Sequence, residues 1–435
     1  MSRVTLRATY RLQLTPDFGF DAARARIPYL RDLGISHLYL SPSLQARAGS
    51  THGYDVVDPT RISQDLGGEE GFRELAAAAH AAGLGVVLDL VPNHMAADDA
   101  NRFWTDPQLR EKFFDIDPAT GRHRRFFDID DLAGVRQEDL EVFEATHALT
   151  LSLVREGVVD ALRVDHPDGL ADPAQYFARL REGGAATVWI EKILEPSEPL
   201  RDWPVTGTVG YEFLNDVCAL FVDPAAEPTF TALWTQLSGD GRGFAEVAAE
   251  AKLEQATATF APEIERLASL VDGDAETLAR AAASFPVYRT YVEPSTGVVD
   301  PADREAVAGM PDDLAAMLLL DQPGPAEFVT RFQQTTPPVV AKGVEDTAFY
   351  RYARLLALCD VGGDPGRFGI SAQRFHDANS ERARRFPEAM LATMTHDTKR
   401  SADVRARLAA LTWMPDRWAD WVRGWLQASE PLRRG

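Results

Sequence analysis

The 435-residue chain sets 66 acidic side chains against 45 basic ones, a formal net charge of −21. That balance repels a phosphate backbone and an anionic membrane surface, so neither nucleic acid nor membrane is expected as a partner, and a small or neutral molecule is. The two cysteines, Cys218 and Cys359, suggest neither a disulfide framework nor a metal cluster, which fits a reduced cytoplasmic setting. MSRVTLRATYRLQL lacks the apolar run of a signal peptide. No later stretch reaches the roughly 18–20 apolar residues that span a bilayer.

At this length, 45% apolar residues supply the core of one large barrel with insertions or of two to three smaller domains. Short apolar runs alternate with helical patterns from the start, the signature of β-α units on a parallel sheet. Strands are expected at Thr5–Leu14, His37–Ser41, Gly85–Val91, Ala161–Asp165 and Thr187–Glu191, with a short sixth within Trp203–Gly210. Phe20–Leu33 and Gly71–Ala82 have helical spacing and stop at Gly34 and Gly83. Pro173–Arg181 reads as a crossover helix with Asp172 as its N-cap. From Glu227 the texture turns Ala-, Glu- and Leu-rich, clearest in FAEVAAEAKLEQATATFAPEIERLASLV. Barrel-like sequence resumes at FQQTTPPVVAKGVEDTAFYRY, and Ala389–His396 is expected as a seventh strand.

The fold expected is therefore α/β, a TIM-type barrel with a large helical insertion. Residues 1–226 would form strands one to six with a short excursion at 95–135, residues 227–335 the insertion, and residues 336–435 strand seven and terminal helices. No eighth strand is read, so an open sheet edge is expected.

Four segments bring polar groups to strand ends: DLVPNH (89–94), LRVDHPDGL (162–170), VWIEKIL (188–194) and MTHDTKRS (394–401). In a parallel barrel that end is where active sites gather. Asp165 ends an apolar run, with Arg163 two residues back on the same face and able to favour its ionised form. Glu191 ends the next strand among Trp189, Ile190 and Ile193, where desolvation raises a carboxyl toward the range of a general acid; a surface pair with Lys192 is the bland alternative. Asp397 beside His396 suits stabilisation of developing positive charge, or a helix N-cap, and the two are compatible. Asn93 and His94 suit a sugar hydroxyl or local hydrogen bonding. GSTHGYDVVDP (49–59) adds His52 and Tyr54, the latter a stacking platform or a core aromatic.

These segments together resemble the α-amylase family of retaining glycosidases and transglycosylases. The resemblance implies Asp165 as nucleophile, Glu191 as acid/base and Asp397 as transition-state stabiliser, with Tyr54, His94, Arg163 and His396 around the glucosyl unit attacked. It implies no redox cofactor; some members bind calcium near the Asn93 position, but no dedicated ligand cluster, and hence no metal site, is read here. Within that family, TYRLQL, HLYLSPSLQARAGSTHGYDVVDP, RFFDIDDLAGVRQED, FPVYRTYV, AKGVEDTAFYRY and ATMTHDTKRSADVRARL resemble the maltooligosyltrehalose synthases, and these segments run from residue 9 to 408.

That narrower resemblance implies intramolecular transfer at the reducing end of a maltooligosaccharide, turning an α-1,4 into an α,α-1,1 linkage. Water must be kept from the covalent intermediate, so a closed pocket is needed. Lys192, Lys342, Phe349 and Tyr350 are candidates for its walls. Helix packing is the competing role for the aromatics, and an ion pair with Glu345 or Asp346 for Lys342. The excursion after His94 is shorter than the family usually has, and the family continues beyond THDTKRS. An α-1,4-glucan hydrolase and an inactive glucan-binding fragment are the alternative functions.

Overall fold

The strands fall where apolar runs predict them, and their alternation decides what each face touches. The computed structural model describes residues 4–196 and 198–432. Its strands in chain order are β1 (Thr9–Leu12), β2 (His37–Leu40), β3 (Leu44–Ala46), β4 (Val56–Ile62), β5 (Gly85–Leu90), β6 (His94–Ala96), β7 (Arg125–Phe126), β8 (Ile129–Gly134), β9 (Ala161–Val164), β10 (Val188–Ile190) and β11 (Gly207–Thr208). The main sheet has the order β1-β2-β5-β9-β10-β11, and every neighbouring pair is parallel. It is the sheet of an α/β barrel of the TIM type.

Because successive side chains point to opposite faces, each strand serves two cores. Leu38, Leu40, Val86, Leu88, Leu162, Val164, Val188 and Ile190 pack outward in the main core. Tyr39, Val87, Ala161 and Trp189 turn inward and pack with Leu6 and Met390. Crossover helices Gly68–Ala81, Leu140–Arg155 and Pro173–Glu182 cover the outer face, and the Asp172 carboxylate caps the last by accepting from Gln175 N at 2.9 Å.

Two expected elements differ. Phe20–Leu33 is two helices, Phe20–Arg24 and Ile27–Asp32, because Pro28 has no N–H to donate to Arg24 and its ring crowds that carbonyl. Ala389–His396 is not a strand. It runs beside β11 with a single ladder bond, Met390 N to Thr208 O at 3.1 Å, since β11 is two residues long and offers no more backbone to pair with. Among the described residues no strand pairs with the other edge of β1, and a cavity of about 840 Å³ lies between β1 and residues 387–396.

Between β5 and β9 an excursion carries the antiparallel sheet β6-β8-β7. Its buried Asp115 is gripped by Arg124 at 3.1 Å and by Arg266 at 3.2 Å, and also by Arg331. The latter two arginines belong to the helical part, so excursion and insertion are pinned together. The helices from Glu227 onward have their own core, including Phe260, Leu267, Phe285, Phe328 and Phe332. Helix Ala326–Gly343 runs straight through residues 335–336, where the sequence reading divides the chain, and ends in one π-helical turn, Val344–Ala348. Among the described residues no helix is long and apolar enough to cross a membrane.

Candidate active site

The centre of the site is a single buried guanidinium. Strand register sets Asp89 and Trp189 on either side of Arg163. Arg163 Nη1 donates to Asp89 Oδ1 at 2.8 Å and to Asp165 Oδ1 at 2.7 Å, and Nη2 lies 3.2 Å from Glu191 Oε1. The ladder continues past the strand ends, Asp165 N to Leu90 O at 2.8 Å and Glu191 N to Val164 O at 2.9 Å, so both carboxylates are delivered by the sheet itself. Glu191 Oε2 accepts from His166 N at 3.0 Å.

His166 adopts a left-handed backbone, φ 40°, at the start of the loop after β9. The helical part grips that loop: Arg289 donates to Asp168 O and Leu170 O, and Gln334 to Gly169 O at 2.8 Å. Gly169 is required for close approach, because a Cβ there would stand 2.3 Å from Asn93 Oδ1.

Electrostatics separates the two carboxyls. Burial pushes Asp165 up, Arg163 opposes it, and the group sits at about 6. Burial pushes Glu191 well above the ordinary glutamate range, with Arg163 again opposing and Asp165 adding to the rise. The shorter, charge-assisted contact belongs to Asp165. The pair therefore loses its first proton at Asp165 and keeps the second on Glu191, the division a nucleophile and an acid need.

Asp397 lies on a turn, not at a strand end. Its Oδ2 is 3.1 Å from His396 Nε2 and 3.4 Å from Tyr211 Oη, and that same hydroxyl is 3.4 Å from Glu191 Oε1. Tyr54 Oη donates to Asp89 Oδ2 at 2.7 Å and meets His396 Nε2 at 2.7 Å; its ring stacks on His396 at 5.5 Å and on His52 at 6.1 Å. Burial holds His396 at about 3 and His94 at about 3, so both are neutral. His94 stacks on Phe126 at 4.1 Å, and its buried Nε2 has no partner among the described residues. His52, Tyr54, His94, Phe126, His396 and Asp397 line one cavity of about 410 Å³, together with Asp165, His166, Glu191, Phe127 and Glu345.

Four sequence candidates lie elsewhere. Lys192 is buried and turns away from the cavity, donating to Ile193 O and pairing with Asp168 at 3.4 Å and Glu198 at 3.0 Å. Lys342 spans from its helix to the excursion, 3.2 Å from Asp128 and 3.4 Å from Asp346, so it bridges the rim and does not line the cavity. Tyr350 is 70% exposed, and Phe349 packs on Phe244. Sequence reasoning missed Tyr211, His166, Glu345 and Lys399 as cavity neighbours. It also missed Asp89 as the second anion on Arg163, for which strand register was the available signal. At Asn93, Oδ1 accepts from Arg124 at 3.0 Å, and that positive charge disfavours a cation there.

Two carboxyls of opposite protonation on adjacent strand ends, with a third facing them, are what double displacement at an acetal carbon requires, which sets the chain among barrel enzymes of the α-amylase class. Residues 22–117 match the family described as alpha amylase, catalytic domain. Over a span of 513 residues the chain is 38% identical to a putative maltooligosyl trehalose synthase of Mycobacterium tuberculosis, covering 98% of this chain and 67% of that protein. It superimposes on the maltooligosyltrehalose synthase of Arthrobacter ramosus with a TM-score of 0.88 at 37% identity, covering 96% of this chain and 66% of that one. The Sulfolobus tokodaii hypothetical maltooligosyl trehalose synthase gives 0.87 at 32% identity, covering 97% and 67%. The chain belongs to the maltooligosyl trehalose synthase family and spans about two thirds of the length of these relatives.

Proposed function

We propose that this chain moves the reducing-end glucose of a maltooligosaccharide from an α-1,4 to an α,α-1,1 linkage by a retaining double displacement. The observation that carries the reading is the shared Arg163 guanidinium, which joins Asp89, Asp165 and Glu191 at one edge of the cavity.

Asp165 attacks the anomeric carbon of the penultimate glucose as that carbon's bond to O4 of the terminal glucose breaks. Glu191 delivers its proton to the departing O4, leaving a glycosyl ester on Asp165. Asp397, across the cavity, favours the positive charge that develops on the ring. The freed glucose stays, turns, and presents its anomeric hydroxyl. Glu191, now ionised, takes that proton while O1 attacks and the ester bond to Asp165 breaks. No water is consumed, so the cavity walls matter as much as the carboxyls. His94 and His396, both neutral, are acceptors or donors for sugar hydroxyls, and Tyr54 covers a ring face.

Incubating the 435-residue chain with maltopentaose tests this. A non-reducing product of unchanged length supports transfer. Shorter chains with rising reducing ends support hydrolysis instead.

A further inference from the structure

In the transfer just proposed the terminal glucose leaves through O4 and returns through O1, so it turns within the cavity while remaining bound. A contact specific to one orientation resists that turn. A half-turn of a glucopyranose about the in-plane axis that bisects the C2–C3 bond exchanges C1 with C4 and C2 with C3. One cavity acceptor placed against the C2–C3 edge therefore meets the O2 hydroxyl in one orientation and the O3 hydroxyl in the other, and holds the ring through the exchange.

Glu345 has the form such a contact needs. It lies on the π-helical turn Val344–Ala348, a widened turn of a kind frequent at functional sites. Its carboxyl is fixed through one oxygen: Oε1 accepts from Tyr288 Oη at 2.7 Å and from Gly362 N at 3.1 Å. Both of these bonds fall on Oε1 and leave Oε2 to the other side of the carboxyl, and Glu345 lines the same cavity as Asp165, Glu191 and Asp397. The neighbouring charged groups are already engaged. Asp346 is paired with Lys399 at 2.7 Å and with Lys342 at 3.4 Å.

The geometry points to Glu345 as the pivot for the released glucose, its Oε2 accepting from O2–H before the turn and from O3–H after it. This rests on the transfer reading. It makes Glu345 a determinant of transfer over escape, since a glucose that is not held leaves and water takes its place. Tyr288 is then a positioning residue that keeps Oε2 aimed.

The test compares the parent chain and Glu345→Ala on maltopentaose and on analogues whose reducing-end glucose is 2-deoxy, 3-deoxy or 6-deoxy. The readout is the ratio of α,α-1,1 product to free glucose. In the parent, the 2-deoxy and 3-deoxy analogues each lower the ratio by about tenfold, the worth of one good hydrogen bond, and more than the 6-deoxy analogue does. In Glu345→Ala the ratio on maltopentaose falls by about tenfold, and the further penalties of the 2-deoxy and 3-deoxy analogues vanish. Tyr288→Phe lowers the ratio in the same direction by less. A merely structural role lowers cleavage and transfer together and leaves both deoxy penalties in place, which overturns the proposal. If the parent forms no α,α-1,1 linkage at all, the transfer reading falls and the pivot with it; if it forms the linkage and the penalties persist in Glu345→Ala, the pivot alone falls.

Discussion

Lys192→Met isolates a buried charge from the chemistry beside it. The ammonium is wholly enclosed, 3.0 Å from Glu198 and 3.4 Å from Asp168, with Tyr288 and Tyr291 rings at 5.5 and 5.8 Å. Burial alone lowers the lysine's pKa, but the two carboxylates outweigh it and hold it raised. A raised lysine stabilises the fold at all pH values below its unfolded value, and the contribution is lost only as pH climbs through the folded value. Methionine fills the volume but leaves two carboxylates buried without a cation, a loss of about 3–5 kcal/mol. At the sensitivity of a large domain that lowers the unfolding midpoint by about 5–10 °C at pH 8. Burial already raises Glu198 above the usual glutamate range. Without Lys192 it rises further, so acid neutralises it and shrinks the deficit. Calorimetry at pH 8 and pH 5.5 checks both the size and the pH dependence. An unfolding midpoint within 1 °C of the parent at pH 8, with a raised KM, would return Lys192 to the cavity wall and refute this placement.

Arg163→Lys keeps the charge but not the fork, and a point charge cannot serve Asp89, Asp165 and Glu191 at once. Turnover is expected to fall by about 10³-fold or more with the fold retained by circular dichroism, and a loss under tenfold would contradict the shared-guanidinium account. The pH dependence of kcat/KM follows from the carboxyl pair. Activity drops as pH falls through about 6, where the buried Asp165 takes a proton, and drops again on the alkaline side as Glu191 loses its own. With an α-glycosyl fluoride, whose leaving group needs no proton, the alkaline limb should flatten while the acid limb stays. Equal limbs for both substrates would remove Glu191 from the acid role.

Where the sequence was legible, strand periodicity did the reading. An apolar run followed by a carboxylate fixes both the strand and the end at which the carboxylate emerges, and Asp165 and Glu191 lie there because the ladder carries them one residue past β9 and β10. Lys192 was misread by the same logic. It follows Glu191 immediately, and adjacent residues leaving a strand point to opposite sides, so proximity in sequence argued against the cavity wall. Tyr350 failed for the helical version of that reason. It follows Phe349 by about 100° of helix rotation, and once Phe349 is buried against Phe244, Tyr350 faces solvent. The segment around Pro337 and Pro338 resisted reading because those residues disfavour a helix locally, while burial of Phe328, Phe332, Val339 and Val340 along the helix overrides that preference.

Asp397 is a different case, since its position was found through a strand that does not form. The segment that carries it is tied to the sheet by one backbone bond and otherwise by side chains: Trp189 Nε1 donates to Glu388 O at 2.8 Å, Arg405 reaches Thr393 O, and Lys399 N donates to Asp360 Oδ1 at 3.1 Å. Asp165 and Glu191 are thus set by the parallel ladder, and Asp397 by contacts made from the barrel interior and the later helices.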